Sequence, residues 1–234
     1  MIDWHSHVLP KMDDGSHSVE ESLLMLSALK EQGISFVVAT PHFYANDDSI
    51  DSFLERRDGS YAMLSECLTD AHPRVVCGAE VAYYPGIAKL KDLRRLTIEN
   101  TNLLLLEMPI ARWSETTVGE IVELSATRGV TVVLAHVERC MALQNKGVLK
   151  RLLRSGVLMQ VNASFFEGFF AGRRALGLLK TGSVHFVGSD CHNMTSRAPH
   201  ISTAYDAIKK RLGHSFVRQM NEHGHRILEH ISRG

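Results

Sequence analysis

Residues 103–108 read Leu-Leu-Leu-Leu-Glu-Met. Four successive leucines leave no polar face, so a strand here is covered on both sides, as in a parallel sheet packed between helices. The run then ends on a carboxylate. Six more apolar runs share this length, at residues 1–4, 35–40, 75–81, 131–135, 158–162 and 184–188. Helical spacing follows at 19–32, 52–68, 116–128, 147–154, 173–180, 203–212 and 215–231. In the first of these, Leu23, Leu26 and Leu29 share a face, Ser18 is placed to cap the start, and Gly33 ends it. Strand–helix alternation of this kind predicts an α/β fold. About seven strands suit a β/α barrel one short of the usual eight, or an open sheet. Neither GxGxxG nor GxxxxGK[ST] occurs, which removes the two commonest nucleotide-binding open sheets.

Composition narrows the function. The 234 residues carry 26 Lys plus Arg against 26 Asp plus Glu, and 44% are apolar. Zero net charge gives no general field for nucleic acid or a membrane surface. No apolar run spans a bilayer, and MIDWHSH lacks the features of a signal peptide, so no membrane insertion and a cytoplasmic location are expected. With no linker-like or repetitive segment, residues 1–234 read as one domain. Four irregularly spaced cysteines form no CxxC pair, which argues against disulfides or a thiolate zinc site. Composition leaves the oligomeric state open.

The unusual residue is histidine, with 13 copies. His5 and His7 follow the first run, and Asp14 lies in the loop behind them. His42 follows the second run, in ATPH. Glu80 ends the third, Glu107 the fourth and His136 the fifth; Asp190 and His192 follow the seventh, in VGSDCH. In a barrel these positions meet at the C-terminal rim, where active sites of this architecture lie. Four carboxylates in one pocket need counterions. Two divalent ions bring the formal sum to zero, and three leave a surplus that matches a phosphate dianion. Imidazole and carboxylate without obligatory thiolate suit manganese, iron or zinc. Arg139 and Arg197 follow presumed ligands on rim loops and are candidates to hold phosphate in a planar fork. Cys191 to Arg197 also fits C-x5-R, the spacing of cysteine-based phosphatases, but lacks the intervening glycines of their phosphate loop.

Taken in order, MIDWHSHVLPKMDDG, ATPH, GAE, LLLLEM, LAHVER, QVNAS and GSDCHNMTSRAPH resemble the PHP (polymerase and histidinol phosphatase) superfamily. Within it, they are similar to the manganese-dependent protein-tyrosine phosphatases of bacterial capsule and exopolysaccharide synthesis. The resemblance implies a distorted seven-stranded β/α barrel, TIM-like, with three divalent metal ions. It implies a first ion on His5, His7, Glu80 and Asp190, and a second on Glu80, Glu107 and His136. Asp14, His42 and His192 would hold the third, with Arg139 and Arg197 gripping phosphate. It further implies attack by metal-bound hydroxide on the phosphotyrosine C-terminal tail of a membrane-linked tyrosine kinase. A PHP phosphoesterase acting on a small metabolite such as histidinol phosphate is the alternative. Segments 43–60 and 109–117 depart from the family's usual pattern.

Overall fold

The computed structural model describes residues 1–127 and 129–229. Nine strands and eight helices occur among them, with three short 3-10 turns. The strands are β1 (Ile2–Ser6), β2 (Phe36–Ala39), β3 (His42–Phe43), β4 (Arg74–Cys77), β5 (Glu80–Ala82), β6 (Leu103–Glu107), β7 (Thr131–Leu134), β8 (Leu158–Asn162) and β9 (Phe186–Gly188). The helices are α1 (Val19–Glu31), α2 (Ile50–Ser65), α3 (Glu115–Thr127), α4 (Glu138–Met141), α5 (Lys146–Arg154), α6 (Phe169–Lys180), α7 (Ser202–Leu212) and α8 (His214–Glu229). All seven expected helices form, and the short α4 is added. The expected ends at Arg128 and at residues 230–231 lie outside the described residues.

All strand pairs are parallel. They form two sheets, ordered β1-β2-β4 and β3-β5-β6-β7-β8-β9. The expected count of seven does not hold as a count of strands: β3 lies beyond the expected run 35–40, and the expected run 75–81 is divided into β4 and β5. Pro41 lies between β2 and β3, and Gly78-Ala79 lies between β4 and β5. Proline offers no N–H to a ladder, and glycine weakens a strand interior. At both breaks the chain leaves the three-stranded sheet and enters the six-stranded one. The other edges approach through a parallel bridge between Ser6 and Cys191. The His7 N–H donates to the Cys191 carbonyl at 2.9 Å, and the Asp190 N–H donates to that of His5 at 2.8 Å. The result is an α/β fold whose parallel sheet curves into part of a barrel.

The leucine run explains how this curve is filled. Leu103 and Leu105 join Trp4, Phe36, Val38, Val133 and Phe186 in one apolar cluster, while Leu104 and Leu106 join a larger one with Leu26, Ile121 and Leu152. Successive side chains of a strand face opposite ways, so β6 fills both layers. Each leucine so buried contributes about 1.5–3 kcal/mol. The register shifts between Asp3 and Ser6 in β1. Trp4 there packs its ring 4.3 Å from that of Phe186. Helix α8 packs against the first of these clusters, that of Trp4 and Phe186, through Ile227 and Leu228. A Cβ on Gly224 of α8 would stand 2.6 Å from the Ile2 side chain and 3.0 Å from Trp4, so only glycine lets α8 approach this closely. Ser18 caps α1 as expected, accepting the Glu21 N–H at 3.2 Å, a contact worth about 1 kcal/mol.

Candidate metal centre

β1 carries His5 into the centre and leaves His7 just beyond its end. The Nε2 atoms of the two rings lie 3.2 Å apart. His5 Nδ1 faces Gln160 Oε1 at 3.3 Å, and His7 Nδ1 faces Asp13 Oδ2 at 2.7 Å. Both partners are acceptors, so each Nδ1 carries a hydrogen and each Nε2 faces inward, where an unprotonated ring offers its lone pair to a cation. Glu80, the first residue of β5, places Oε2 3.0 Å from His5 Nε2 and 3.2 Å from His7 Nε2. Asp190 Oδ1 lies 3.7 Å from the first and 3.5 Å from the second. Donor atoms about 2.1 Å from a common ion are themselves about 3.0–3.5 Å apart, which matches this spacing.

Two further clusters adjoin the first. His136 Nε2 lies 2.9 Å from Glu80 Oε1 and 3.4 Å from Glu107 Oε1. Asp14 Oδ1 lies 3.5 Å from His42 Nε2 and 3.3 Å from His192 Nε2. His192 Nδ1 donates to the Asp190 carbonyl at 3.0 Å, leaving Nε2 as a lone pair as well. Three buried ring nitrogens, His42 Nδ1, His136 Nδ1 and His192 Nε2, have no hydrogen-bond partner. His42 Nδ1 and His192 Nε2 each face a carboxylate oxygen at 3.3 Å without hydrogen-bond geometry. Buried polar atoms are seldom left so; converging acceptors and unpartnered nitrogens are what a cation satisfies. The residues therefore fit divalent metal. The groups able to hold an ion are His5, His7 and Asp190; His42, Glu80 and Glu107; and His7 with Asp14, His42 and His192. Among the described residues eight of the nine expected ligands fall in these groups, with His7 and His42 each shared by two; His136 belongs to none of the three, although its Nε2 lies beside Glu80 and Glu107.

Electrostatics holds this cluster together. Burial works against a charged His7, but the bonds to Asp13 and Glu80 outweigh it and push its pKa up to about 10. His136 is likewise disfavoured by burial, yet Glu107 and Glu80 raise it to about 9. Burial would protonate Glu80 and Asp190; the neighbouring histidines instead keep both well below the usual carboxylate range, with Arg197 helping Asp190. Burial, then His7 and Arg197, depress His192 to about 4.

Local backbone serves the same end. His136 and Asp190 have φ values of 27° and 55°, a region uncommon for residues other than glycine and often found at functional sites. The Gln160 side chain accepts the His136 N–H at 2.6 Å, and Asp3 ties down the Ser189 N–H at 2.7 Å beside Asp190. A Cβ on Gly188 would stand 2.5 Å from that of His5, and one on Gly15 would stand 2.4 Å from the His7 carbonyl oxygen. The glycines of GSD and DDG thus let two loops close on the histidines.

Arg139 Nη2 reaches Asp190 Oδ2 at 2.5 Å, and Arg197 Nη2 reaches Asp190 Oδ1 at 2.9 Å. Arg197 Nη1 also lies 3.6 Å from Asp14 Oδ2, and both guanidinium groups edge a cleft of 230 Å³ with Asn162, Ser164 and Glu167. Four supporting residues escaped the sequence reading. Asp13 holds His7 and accepts the His42 N–H at 2.9 Å; Gln160 and Asn162 form a chain that ends on Asp190, and Asp3 anchors Ser189. DDG and QVNAS contain three of them, but spacing alone does not say which Asp or amide turns inward. Cys191 is buried, and burial pushes its thiol pKa far up. It cannot supply the exposed thiolate that the C-x5-R reading needs.

Known proteins resemble this chain in sequence and fold. The chain is 31% identical to the tyrosine-protein phosphatase CpsB of Streptococcus pneumoniae, over 94% of each chain. It is 27% identical to the tyrosine-protein phosphatase YwqE of Bacillus subtilis, over 97% of this chain and 91% of that one. A solved structure from work on YwqE and CpsB, described as unique metal-dependent tyrosine phosphatases, superimposes with a TM-score of 0.81 at 27% identity, covering 97% of this chain and 94% of the other. The family described as capsular polysaccharide synthesis, CpsB/CapC, matches residues 1–229, and the chain belongs to that family.

Proposed function

We propose that residues 1–234 form one metallophosphatase domain that hydrolyses protein phosphotyrosine. We read its nine strands as a distorted seven-stranded barrel in which β2–β3 and β4–β5 are each a single broken strand. The observation that carries the reading is the meeting of His5 and His7 lone pairs with Glu80 and Asp190 oxygens at 3.0–3.7 Å, beside Arg139 and Arg197. The names of CpsB and YwqE support the reaction.

His5, His7, Glu80 and Asp190 would hold one ion, Glu80, Glu107 and His136 a second, and Asp14, His42 and His192 a third. Imidazole with carboxylate favours manganese, with iron and zinc as the next choices. When bound, the ions supply Lewis acidity, lowering the pKa of water and neutralising phosphoryl oxygens. The rest falls to the chain. Arg139 and Arg197, steered by Asp190, present remaining N–H donors to the phosphoryl oxygens and align the ester. Gln160 and Asp13 fix the tautomers of His5 and His7, which keeps both Nε2 lone pairs inward. Tyrosine leaves as a phenolate of pKa about 10, a better leaving group than a serine alkoxide.

The substrate we assign is the phosphotyrosine tail of a membrane-linked tyrosine kinase of capsule or exopolysaccharide synthesis, met in the cytoplasm. The family's description supports the process. Among the described residues no helix is long and apolar enough to cross a membrane. Chelator-stripped protein should leave a phosphotyrosine peptide intact and hydrolyse it once manganese is restored. Turnover that persists without detectable metal would overturn the reading.

A further inference from the structure

Glu167 edges the cleft of Arg139 and Arg197. Two residues on, Phe169 lines a second, separate groove of 620 Å³ that runs along α6. Its wall is a stripe at helical spacing: Phe169, Arg173, Leu176 and Lys180, joined by Arg211 and Leu212 from the end of α7. Leucines form the floor, and the three cations stand above it. Among the described residues none of the three forms an ion pair, and the groove has no acidic lining residue. The Arg173 guanidinium instead lies over the Phe169 ring at 5.4 Å from its centre. Phe169 and Phe170 are 64% and 86% exposed at the end nearest the arginine cleft, which is costly for aromatic rings without a partner.

We propose that this groove is the docking track for an acidic peptide segment flanking the phosphotyrosine. The inference rests on the phosphotyrosine reading and adds a substrate preference to it. Charge complementarity selects the occupant: three unpaired cations over an apolar floor suit an extended segment of Asp, Glu or further phosphorylated residues interspersed with apolar ones. Proximity along the chain suggests its route, since Glu167 edges the arginine cleft and Phe169, two residues on, edges the groove. From Phe169 to Lys180 the helix advances roughly 16 Å, the span of about five extended residues. The opposite side of the rim carries Asp47 and Asp48, so an acidic flank is repelled there and is led toward α6.

The test compares two phosphotyrosine peptides, one with an acidic five-residue flank and one with a neutral flank, on wild type and on the double variant Lys180→Glu, Arg211→Glu. Both substitutions lie on exposed helix surface. Wild-type kcat/KM should favour the acidic flank, and the double variant should lose about tenfold on that peptide alone. p-Nitrophenyl phosphate, which has no flank, should be hydrolysed equally by both. The preference should also fade at high salt. Equal kcat/KM for both peptides in wild type would overturn the docking track while leaving the phosphatase reading intact. If wild type hydrolysed no aryl phosphate at all, the phosphatase reading would fall. Fluorescence anisotropy of the labelled acidic peptide, which needs no turnover, would then decide the groove by the same comparison of wild type and variant. Binding to phosphatidylglycerol vesicles that the variant loses, with peptide preference unchanged, would replace the peptide with an anionic membrane surface and overturn the proposal.

Discussion

Two arcs of the rim surround the histidine cluster and are built in opposite ways. The loops after β7, β8 and β9 bring Arg139, Asn162, Ser189 and Arg197 to a cleft of 230 Å³. The loop after β3 brings Tyr44, Asp47, Asp48 and Arg56 to a wider one of 530 Å³. In the first arc the cations are tethered to the buried Asp190. In the second, Arg56 is paired with Asp48, so the wall is acidic on balance. Tyr44 stacks beside His42 with ring centres 5.5 Å apart. On the proposed function, the first arc would meet phosphate, while the second turns negative charge away and offers an aromatic ring. The difference suggests that an aryl phosphate is oriented between unlike walls as well as by the ions.

The largest effect should come from the carboxylate at the centre of the histidine cluster, between the arcs. Glu80→Gln removes a charge contacted by His5, His7, His42 and His136. It should lower kcat by more than about 10³-fold, with metal content falling in parallel by elemental analysis. Retained activity would show that the buried cluster is not the reacting centre. Arg139→Ala or Arg197→Ala should cost about 10²-fold in kcat/KM while metal content stays full. Loss of the ions in either variant would give that arginine a structural role. Asp13→Asn tests the support under the second arc. Metal affinity should fall about 10–100-fold, read by competition with a chelating dye. Asp48→Asn should shift kcat/KM less than about threefold, as should Cys191→Ser, since the first is a rim charge and the second is inert.

A pH prediction follows from the cluster's own titration. Without ions, His7 and His136 have pKa values of about 10 and 9, so both are protonated at pH 7. Their raised values mean that their stabilisation of the metal-free fold is complete below about pH 6.5 and is lost as pH rises through 9 to 10. Metal must displace these protons. Loading stripped protein at pH 7 in weak buffer should therefore release about two protons, measured by a pH indicator, and metal affinity should climb with pH up to that range. Loading without proton release would contradict the assignment of both imidazoles as ligands.

The arcs also differ in how far the chain's residues announced them. Where a strand runs unbroken to its end, as in LLLLEM, VLAH and VGSD, the last apolar residue marks the layer and the next polar one marks the rim. Glu107 and His136 are found that way, and Asp190 follows one residue after the Ser189 that the rule picks out. Where the chain crosses between sheets the rule weakens. Past Pro41 an unexpected strand, β3, begins at His42, and Gly78 cuts the expected run 75–81 into β4 and β5, without disturbing Glu80. The supporting residues were hidden for another reason. Asp13 and Asp14 are neighbours of the same type, yet Asp13 turns to His7 and Asp14 to His42 and His192. Loop geometry decides that, and nothing periodic records it. Gln160 was legible as a polar residue inside an apolar strand, a signal that a buried partner awaits it.

The central claim is that these nine side chains hold a cluster of divalent ions. Anomalous diffraction from manganese-loaded crystals tests it directly. The account predicts three peaks within the ring of His5, His7, Asp14, His42, Glu80, Glu107, His136, Asp190 and His192. A fully active crystal with no peak inside that ring would contradict it.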